Sequence, residues 1–503
     1  MTDHRVDVDV AAISAVEAPR RSLADRVPNA FVLISGLLLI AAALTWIIPP
    51  GQFERVQRDG RTVVVPGTYQ RILPDGPLAP GNEVRPQPQG LHHVARAPLR
   101  GFQDAAGIIV FILVLGGAFK VMEATGAIRS GLAYVVRAAQ GREIMVIPIV
   151  MLCFSLGGSI FGMAEETIPF VMIVVPLALA LGYDSVTAVC MVFVAAMAGF
   201  SAAFINPFTL GIAQGIAELP PVSGFGYRVV AWAVSTTAAI LYVVRYARRI
   251  RRDPTRSPTY ELDQARREKE GFGLAGADND WLAATSPLSG RHKAVLALFA
   301  VTLMALVAGV LRWGWYIDEI AALFIGFTVL TGLVGRLGGN GTVDAFVRGA
   351  GELLGAALVV GLARGVVLLA QDGGIIDPLL HALSSSISLL PPVFSAQLMF
   401  LVQSVLNLLV PSGSGQAALT MPIMAPLADL IGITRQTAVL AFQFGDGFTN
   451  IIVPTNPVLL GVLGAARIPW ALWARWVTPF LLVFILLGMV LLVPPVLMKW
   501  GPF

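Results

Sequence analysis

Residues 407–422 read NLLVPSGSGQAALTMP, and residues 155–170 read SLGGSIFGMAEETIPF. At an offset of 250 positions, 162–167 falls on 412–417, so a polar, Gly-rich interruption of one apolar stretch meets another. The register holds beyond these tips. Residues 176–189 (PLALALGYDSVTAV) and 426–439 (PLADLIGITRQTAV) agree at seven of fourteen positions, and Asn206, Pro207 and Gly211 fall on Asn456, Pro457 and Gly461. At an offset of 248, Gly101, Gly107, Gly117, Gly126 and Ile128 fall on Gly349, Gly355, Gly365, Gly374 and Ile376. Self-similarity over such a distance means that one fold is used twice.

What surrounds the repeat is almost all apolar: 56% of the 503 residues are hydrophobic and 13% charged. That composition excludes a soluble multidomain protein and gives an all-α polytopic membrane protein. Runs such as Phe31 to Pro49, Val295 to Leu311 and Val477 to Leu497 are long enough to cross hydrocarbon; roughly 10 to 14 spans are expected, some of them broken. The first run, with no small-residue cleavage site after it, reads as an uncleaved anchor. Cys153 and Cys190 lie in apolar stretches and read as reduced core thiols, and the five histidines include no HExxH or similar pair. No resident cofactor is expected.

Orientation follows from charge. Nine Lys or Arg residues lie between Arg245 and Lys269, directly after an apolar span, which reads as a cytoplasmic loop and not as a nucleic-acid site. The expected organisation is a cytoplasmic tail at 1–27, a first transmembrane helix at 28–50 and an extracytoplasmic loop or small insertion at 51–98. Repeat one then runs over 99–248, with a hairpin near 155–170 and a helix break near 199–209. A basic cytoplasmic loop at 249–292 and two scaffold helices at 293–336 follow. Repeat two covers 347–500, with a hairpin near 407–422 and a break near 444–457. The first unit starts after one span and the second after the basic loop plus two more, so the repeats should be inverted. Inverted repeats with broken helices at the midplane are a common construction of secondary transporters.

Non-helical backbone at membrane depth is tolerable only where it is enclosed by protein or lines a cavity. Four such clusters occur, two per repeat: 155–170, 199–209 (GFSAAFINPFT), 407–422 and 444–457 (FGDGFTNIIVPTNP). The candidate substrate and ion site is therefore Glu165, Glu166, Thr167, Asn206, Arg364, Ser412, Gly413, Ser414, Gly415, Asp446, Thr449, Asn450 and Thr455. Small residues let carbonyls and helix N-termini approach a ligand, and Ser, Thr and Asn oxygens are hard ligands suited to Na⁺, here expected at Asn206, Ser412 and Asn450. The bland reading of any single Gly or Ser is close helix packing. Glu165, Glu166 and Asp446 are costly in a bilayer unless partnered, and Arg364 is the one base placed to meet them. The acid excess points to a coupling cation, Na⁺ or H⁺, or to a cationic substrate.

GMAEETIPF at 162–170, PSGSGQA at 411–417, TMPIMAPLADL at 420–430 and AFQFGDGFTNIIVPT at 441–455 resemble the YfcC family, which is related to the anaerobic C4-dicarboxylate carriers. LTWIIPPGQFER at 44–55 and PGTYQR at 66–71 are similar too, so the resemblance runs from about residue 28 to the C-terminus. It implies membership of the ion transporter superfamily: scaffold plus transport domains, two opposed re-entrant hairpins, elevator-type movement and homodimerisation through the scaffold. It also implies a multi-pass protein of the bacterial inner membrane carrying a small carboxylate-bearing metabolite; Arg20, Arg21 and Arg26 place the N-terminus in the cytoplasm. The substrate stays open between a C4-dicarboxylate and an amino acid, with exchange of arginine and ornithine as the alternative. A channel is the remoter alternative, because polar-tipped hairpins also build selectivity filters. An intramembrane aspartyl protease, suggested by Tyr183–Asp184 and Gly445–Asp446, would need Gly where Gln443 stands.

Overall fold

The computed structural model describes residues 30–58, 61–65, 67–73, 76–83, 85–139, 141–270, 288–387 and 390–501. The expected tail at 1–27 lies outside them, as do 271–287 of the basic segment. The protein is helical almost throughout, with two short antiparallel ribbons, Gly51–Gln52 against Gln70–Arg71 and Arg55–Arg58 against Arg61–Val64, in the expected insertion.

Element order repeats as the sequence spacing requires. After Ala30–Ile47, the first unit holds Leu91–Asp104 with Ala106–Ala124, then Ala127–Ala139, the hairpin arms Glu143–Phe161 and Thr167–Ala180, Ser185–Ser201, 207–216, and Phe225–Arg252. The second holds Gly338–Asp372, Ile376–Ile387, the arms Pro392–Leu406 and Gly413–Leu430, Arg435–Thr449, Pro457–Ala466 and Trp470–Leu491. Between them stand Gly290–Trp313 and Ile317–Gly335. The helix that leads into the first unit starts at Leu91 and carries His92, His93 and Arg96 in its first turns. Among the described residues six helices are long and apolar enough to cross a membrane. Five shorter apolar ones include one arm of each hairpin, Thr167–Ala180 and Pro392–Leu406, and one piece of each broken helix, Ser185–Ser201 and Pro457–Ala466.

The glycines shared by the two units explain themselves in the packing. The first helices of both units run antiparallel in close contact: a Cβ on Gly101 would lie 2.1 Å from the Gly361 carbonyl oxygen, and one on Gly349 would lie 2.2 Å from that of Gly116. Each hairpin packs on the broken helix behind it in the same way, Gly199 against the Ser155 carbonyl at 1.9 Å and Gly445 against the Phe400 carbonyl at 2.8 Å. Lipid gives little hydrophobic drive between helices, so small residues that let backbones touch supply the association through van der Waals contact.

The insertion and the basic segment mark the two ends of the bundle. At one end the insertion is pinned: Gln87 N–H donates to Asp372 O (3.1 Å), Gln89 N–H to Thr45 Oγ1 (2.8 Å), and Arg55 pairs with Asp377 at 2.9 Å. At the other end the Phe225–Arg252 helix carries its arginines outward, and Tyr260–Glu270 folds back as a helix, not a loop. There Asp184 accepts from Tyr246 Oη (2.5 Å) and Ser257 Oγ (2.6 Å), and Asp263 accepts from Ser185 N–H (3.0 Å). Cys190 is buried as expected, whereas Cys153 is exposed on the outer side of its hairpin arm.

Candidate functional site

Both hairpin tips and both helix breaks converge on one cavity of about 520 Å³. Of the expected residues, Glu165, Glu166, Arg364, Ser412, Gly413, Ser414, Asn450 and Thr455 line it. The first tip forms because Gly162, at φ 71°, ends its helical arm in a left-handed turn. The Glu166 carboxylate then accepts the Ala164 N–H at 3.0 Å, and Thr167 Oγ1 donates to the Ala164 carbonyl at 2.5 Å, behind the wall. At the second tip, Ser412 Oγ caps its helix by accepting the Gly415 N–H at 3.3 Å. The other N–H groups of that helix start lie at the cavity edge, where the positive end of the backbone dipole favours an anionic group.

The breaks are built alike. Asn206 Oδ1 accepts from the N–H groups of Phe208 (2.9 Å) and Thr209 (3.3 Å), and Asn456 Oδ1 accepts from those of Val458 (2.9 Å) and Leu459 (3.3 Å). These asparagines restart each broken helix. Asn206 thereby spends its oxygen on a cap, and its amide donates to Thr209 Oγ1 at 2.8 Å. The chemistry added to this symmetric frame is not symmetric. Asp446, Thr449, Asn450 and Asn407 fall, at the offset of 250, on Ala196, Gly199, Phe200 and Gly157, while Glu165 and Glu166 fall on Gly415 and Gln416.

Behind the second tip, Asn407 Nδ2 donates at 2.9 Å to the Asp446 carbonyl, Thr449 Oγ1 and Asn450 Oδ1. Asn450 Oδ1 also accepts from Asn456 Nδ2 at 2.9 Å, and Thr455 Oγ1 donates to Leu408 O at 2.7 Å. These contacts fix the orientation of the Asn407 amide, so its Oδ1 faces elsewhere. Asn407 Oδ1, Gln416 Oε1 and Asp446 Oδ2 are buried oxygens that accept no hydrogen bond among the described residues. The Asp446 carboxylate stands against Gly413, where a Cβ would be 2.8 Å from Oδ2. Buried acceptors without donors suit a bound cation or a proton.

Three features depart from expectation. Arg364 does not serve Glu165, Glu166 or Asp446: it forms an ion pair with Asp104, because Gly365 packs on Ala97 and brings Arg364 beside the kink between Leu91–Asp104 and Ala106–Ala124. Asp104 was readable as an acid entering an apolar run. Glu165 instead accepts from Tyr316 Oη at 3.0 Å. A second intramembrane arginine, Arg228, is fully buried and donates to Gln443 and the Ala203 carbonyl; its place near a helix start hid it among loop residues. Asp184 and Asp446 share no hydrogen-bond partner, so no aspartyl dyad forms. The cavity wall therefore carries Asp104, Glu165 and Glu166 against the single base Arg364.

Residues 27–496 match the sequence model of the family described as "DcuC: C4-dicarboxylate anaerobic carrier". The chain is 36% identical over 500 residues to the Escherichia coli (strain K12) protein named "Putative basic amino acid antiporter YfcC", across 92% of this chain and 95% of that one. It is 31% identical over 520 residues to an uncharacterized protein of Haemophilus influenzae, across 95% and 98% of the two chains. Among solved structures, the Alcanivorax borkumensis YdaH transporter aligns over 94% of this chain and 100% of its own, at 18% identity and a TM-score of 0.41.

Proposed function

Because the chain belongs to the C4-dicarboxylate anaerobic carrier family, and is therefore a membrane transporter and not an enzyme, we propose that it moves an amino acid bearing a cationic group, coupled to an ion gradient or to exchange. The observation that carries this reading is the acid excess of the cavity wall, Asp104, Glu165 and Glu166 against Arg364. A dicarboxylate entering such a wall meets like charge, whereas an ammonium or guanidinium meets compensation. The carboxylate of the same amino acid has its own place at the N–H groups that open the Gly413–Leu430 helix. The relative named as a basic amino acid antiporter supports the same choice.

The coupling ion, Na⁺ or H⁺, is assigned to Asp446, whose buried Oδ2 accepts no hydrogen bond among the described residues and stands against Gly413 at the second tip. Alternating access follows from the division of the bundle. Ala30–Ile47, Leu91–Ala124, Ile317–Gly335 and Gly338–Asp372 pack together as a fixed scaffold, and the hairpins with their broken helices move against it as an elevator. The basic end faces the cytoplasm by the positive-inside rule. Exposed apolar side chains on Ile317–Gly335, Ile325, Val329 and Leu333 among them, give the scaffold a face for a second copy.

A second reading, gradient-driven dicarboxylate uptake, is favoured by Arg364 on the wall and by the family description. Purified protein in liposomes, offered labelled arginine, ornithine, succinate and fumarate with Na⁺, proton or counter-substrate gradients, decides between them. Saturable arginine or ornithine uptake supports the first reading, and dicarboxylate uptake alone rejects it.

A further inference from the structure

Arg228 has no part in the transport cavity. It lies in the first turn of the Phe225–Arg252 helix, is fully buried, and is not among the residues that line that cavity. A guanidinium keeps its charge inside a protein, yet Arg228 forms no ion pair among the described residues. Its Nη1 donates to Gln443 Oε1 and, at 3.4 Å, to the Ala203 carbonyl. Its Nε and Nη2 are buried and meet no acceptor among the described residues. Gln443, buried beside it, turns Oε1 to Nη1, and its own Nε2 also meets no acceptor among them. One positive charge and a set of buried donors on two joined side chains are thus left without an anion.

We propose that Arg228, together with Gln443 Nε2, holds a small monovalent anion of the chloride class inside the bundle. The unused nitrogens are the informative ones: Nε–H and one N–H of Nη2 point side by side along a single edge of the planar guanidinium, the edge that grips an anion by two parallel hydrogen bonds. A buried charge left uncompensated is costly, and one anion at that edge satisfies both the charge and the donors. The start of the Phe225–Arg252 helix brings the positive end of its backbone dipole to the same side. The surroundings select for size. The Trp500 ring stands 5.5 Å from the guanidinium carbon, and Gly224, at φ 73°, opens the helix so tightly that a Cβ there would collide with Trp500 and Gln436. So close a packing suits a single small ion and not a metabolite. Ala203 belongs to the first helix break and Gln443 to the helix that runs into the second, so the ion steadies both breaks from behind, without touching the substrate.

The test reads stability and not transport, so it stands apart from the substrate and coupling-ion assignments. Purified full-length protein in uncharged detergent, at constant Na⁺ and constant ionic strength, is titrated with chloride or bromide in exchange for gluconate while thermal unfolding is followed. Wild type should be stabilised saturably by chloride and bromide and not by gluconate, which is too large for the site. Arg228→Lys, which keeps the charge but loses the paired N–H edge, should raise the half-saturating chloride concentration at least about tenfold, as loss of one charge-assisted hydrogen bond requires. Gln443→Glu supplies the guanidinium with a carboxylate of the chain's own, so this variant should fold without chloride and lose the response; it keeps the question decidable if Arg228→Lys does not fold. Arg291→Gln, an exposed charge on another helix, should keep the full response. A flat chloride titration of wild type, an equal response to gluconate, or a chloride response unchanged in Gln443→Glu overturns the proposal.

Discussion

Replacing Glu165 by glutamine removes a charge and little else. The side chain keeps its size, and its amide oxygen still accepts from Tyr316 Oη, now 3.0 Å from the carboxylate, so stability should change by less than about 1 kcal/mol. A substrate ammonium in contact with the carboxylate, about 4 Å away, gains ~4 kcal/mol at an effective dielectric of 20. Desolvation of the ammonium lowers the net value to about 1.5–3 kcal/mol, as for hydrogen bonds to charged groups. At about 1.4 kcal/mol per decade, the KM for arginine should rise ten- to about a hundredfold, while succinate, repelled by the same charge, should bind no worse. Initial rates of labelled arginine uptake into liposomes against concentration read this directly. An unchanged arginine KM in Glu165→Gln, with wild-type protein transporting arginine, refutes the assignment of the acidic wall to the substrate cation.

Asp446→Asn should leave a protein that inserts and purifies normally but whose uptake falls at least about tenfold and no longer responds to Na⁺ or pH, because the buried carboxylate that has an unpartnered oxygen among the described residues is gone; retained ion dependence would move the coupling site elsewhere. Gly413→Ala puts a methyl group 2.5 Å from Thr209 Cγ2 and 2.8 Å from Asp446 Oδ2, so melting experiments should show a loss of about 1–3 kcal/mol and substrate affinity should drop. A neutral result would mean that the second tip is not tight against Asp446. The Arg467–Glu352 pair joins the end of the Pro457–Ala466 helix to Gly338–Asp372, yet both side chains are about a third exposed or more (40% and 33%). Such a pair is worth about 0.2–1 kcal/mol, so Glu352→Arg should shift the balance of the two access states only severalfold, and adding Arg467→Glu should restore it. Crosslinking across that contact in both variants measures the shift; failure of the double variant to restore it means that this pair does not set the balance.

The repeat, the hairpins and the breaks were legible because their signals are local. Glycine and proline at fixed offsets mark where the backbone must turn or touch, and Asn206 with Asn456 mark the two restarts whose capping distances agree within 0.1 Å. Pairing across the bundle was not legible in the same way. Arg364 could be placed inside a span, but which acid it meets depends on the packing of Gly365 on Ala97 and the kink at Ala105, contacts between residues far apart in sequence. Asn407 and Gln416 lay inside the quoted stretch without standing out, since an amide with one end satisfied looks like any packed amide until its other end is traced. Arg228 escaped because a cation four residues into a helix reads as interfacial, whereas this one is buried against Gln443.

If one cavity between the two hairpin tips serves both faces of the membrane, a thiol placed on its wall is reachable from each of them. Ser414→Cys, on the wall of that cavity, in a background with Cys153→Ser and Cys190→Ala, can be exposed to a membrane-impermeant thiol reagent from either side of oriented vesicles. Modification is expected from both faces, slowed by saturating arginine, with the balance between faces shifted by the ion gradient. Modification from one face only, unaffected by any substrate or gradient, would contradict it.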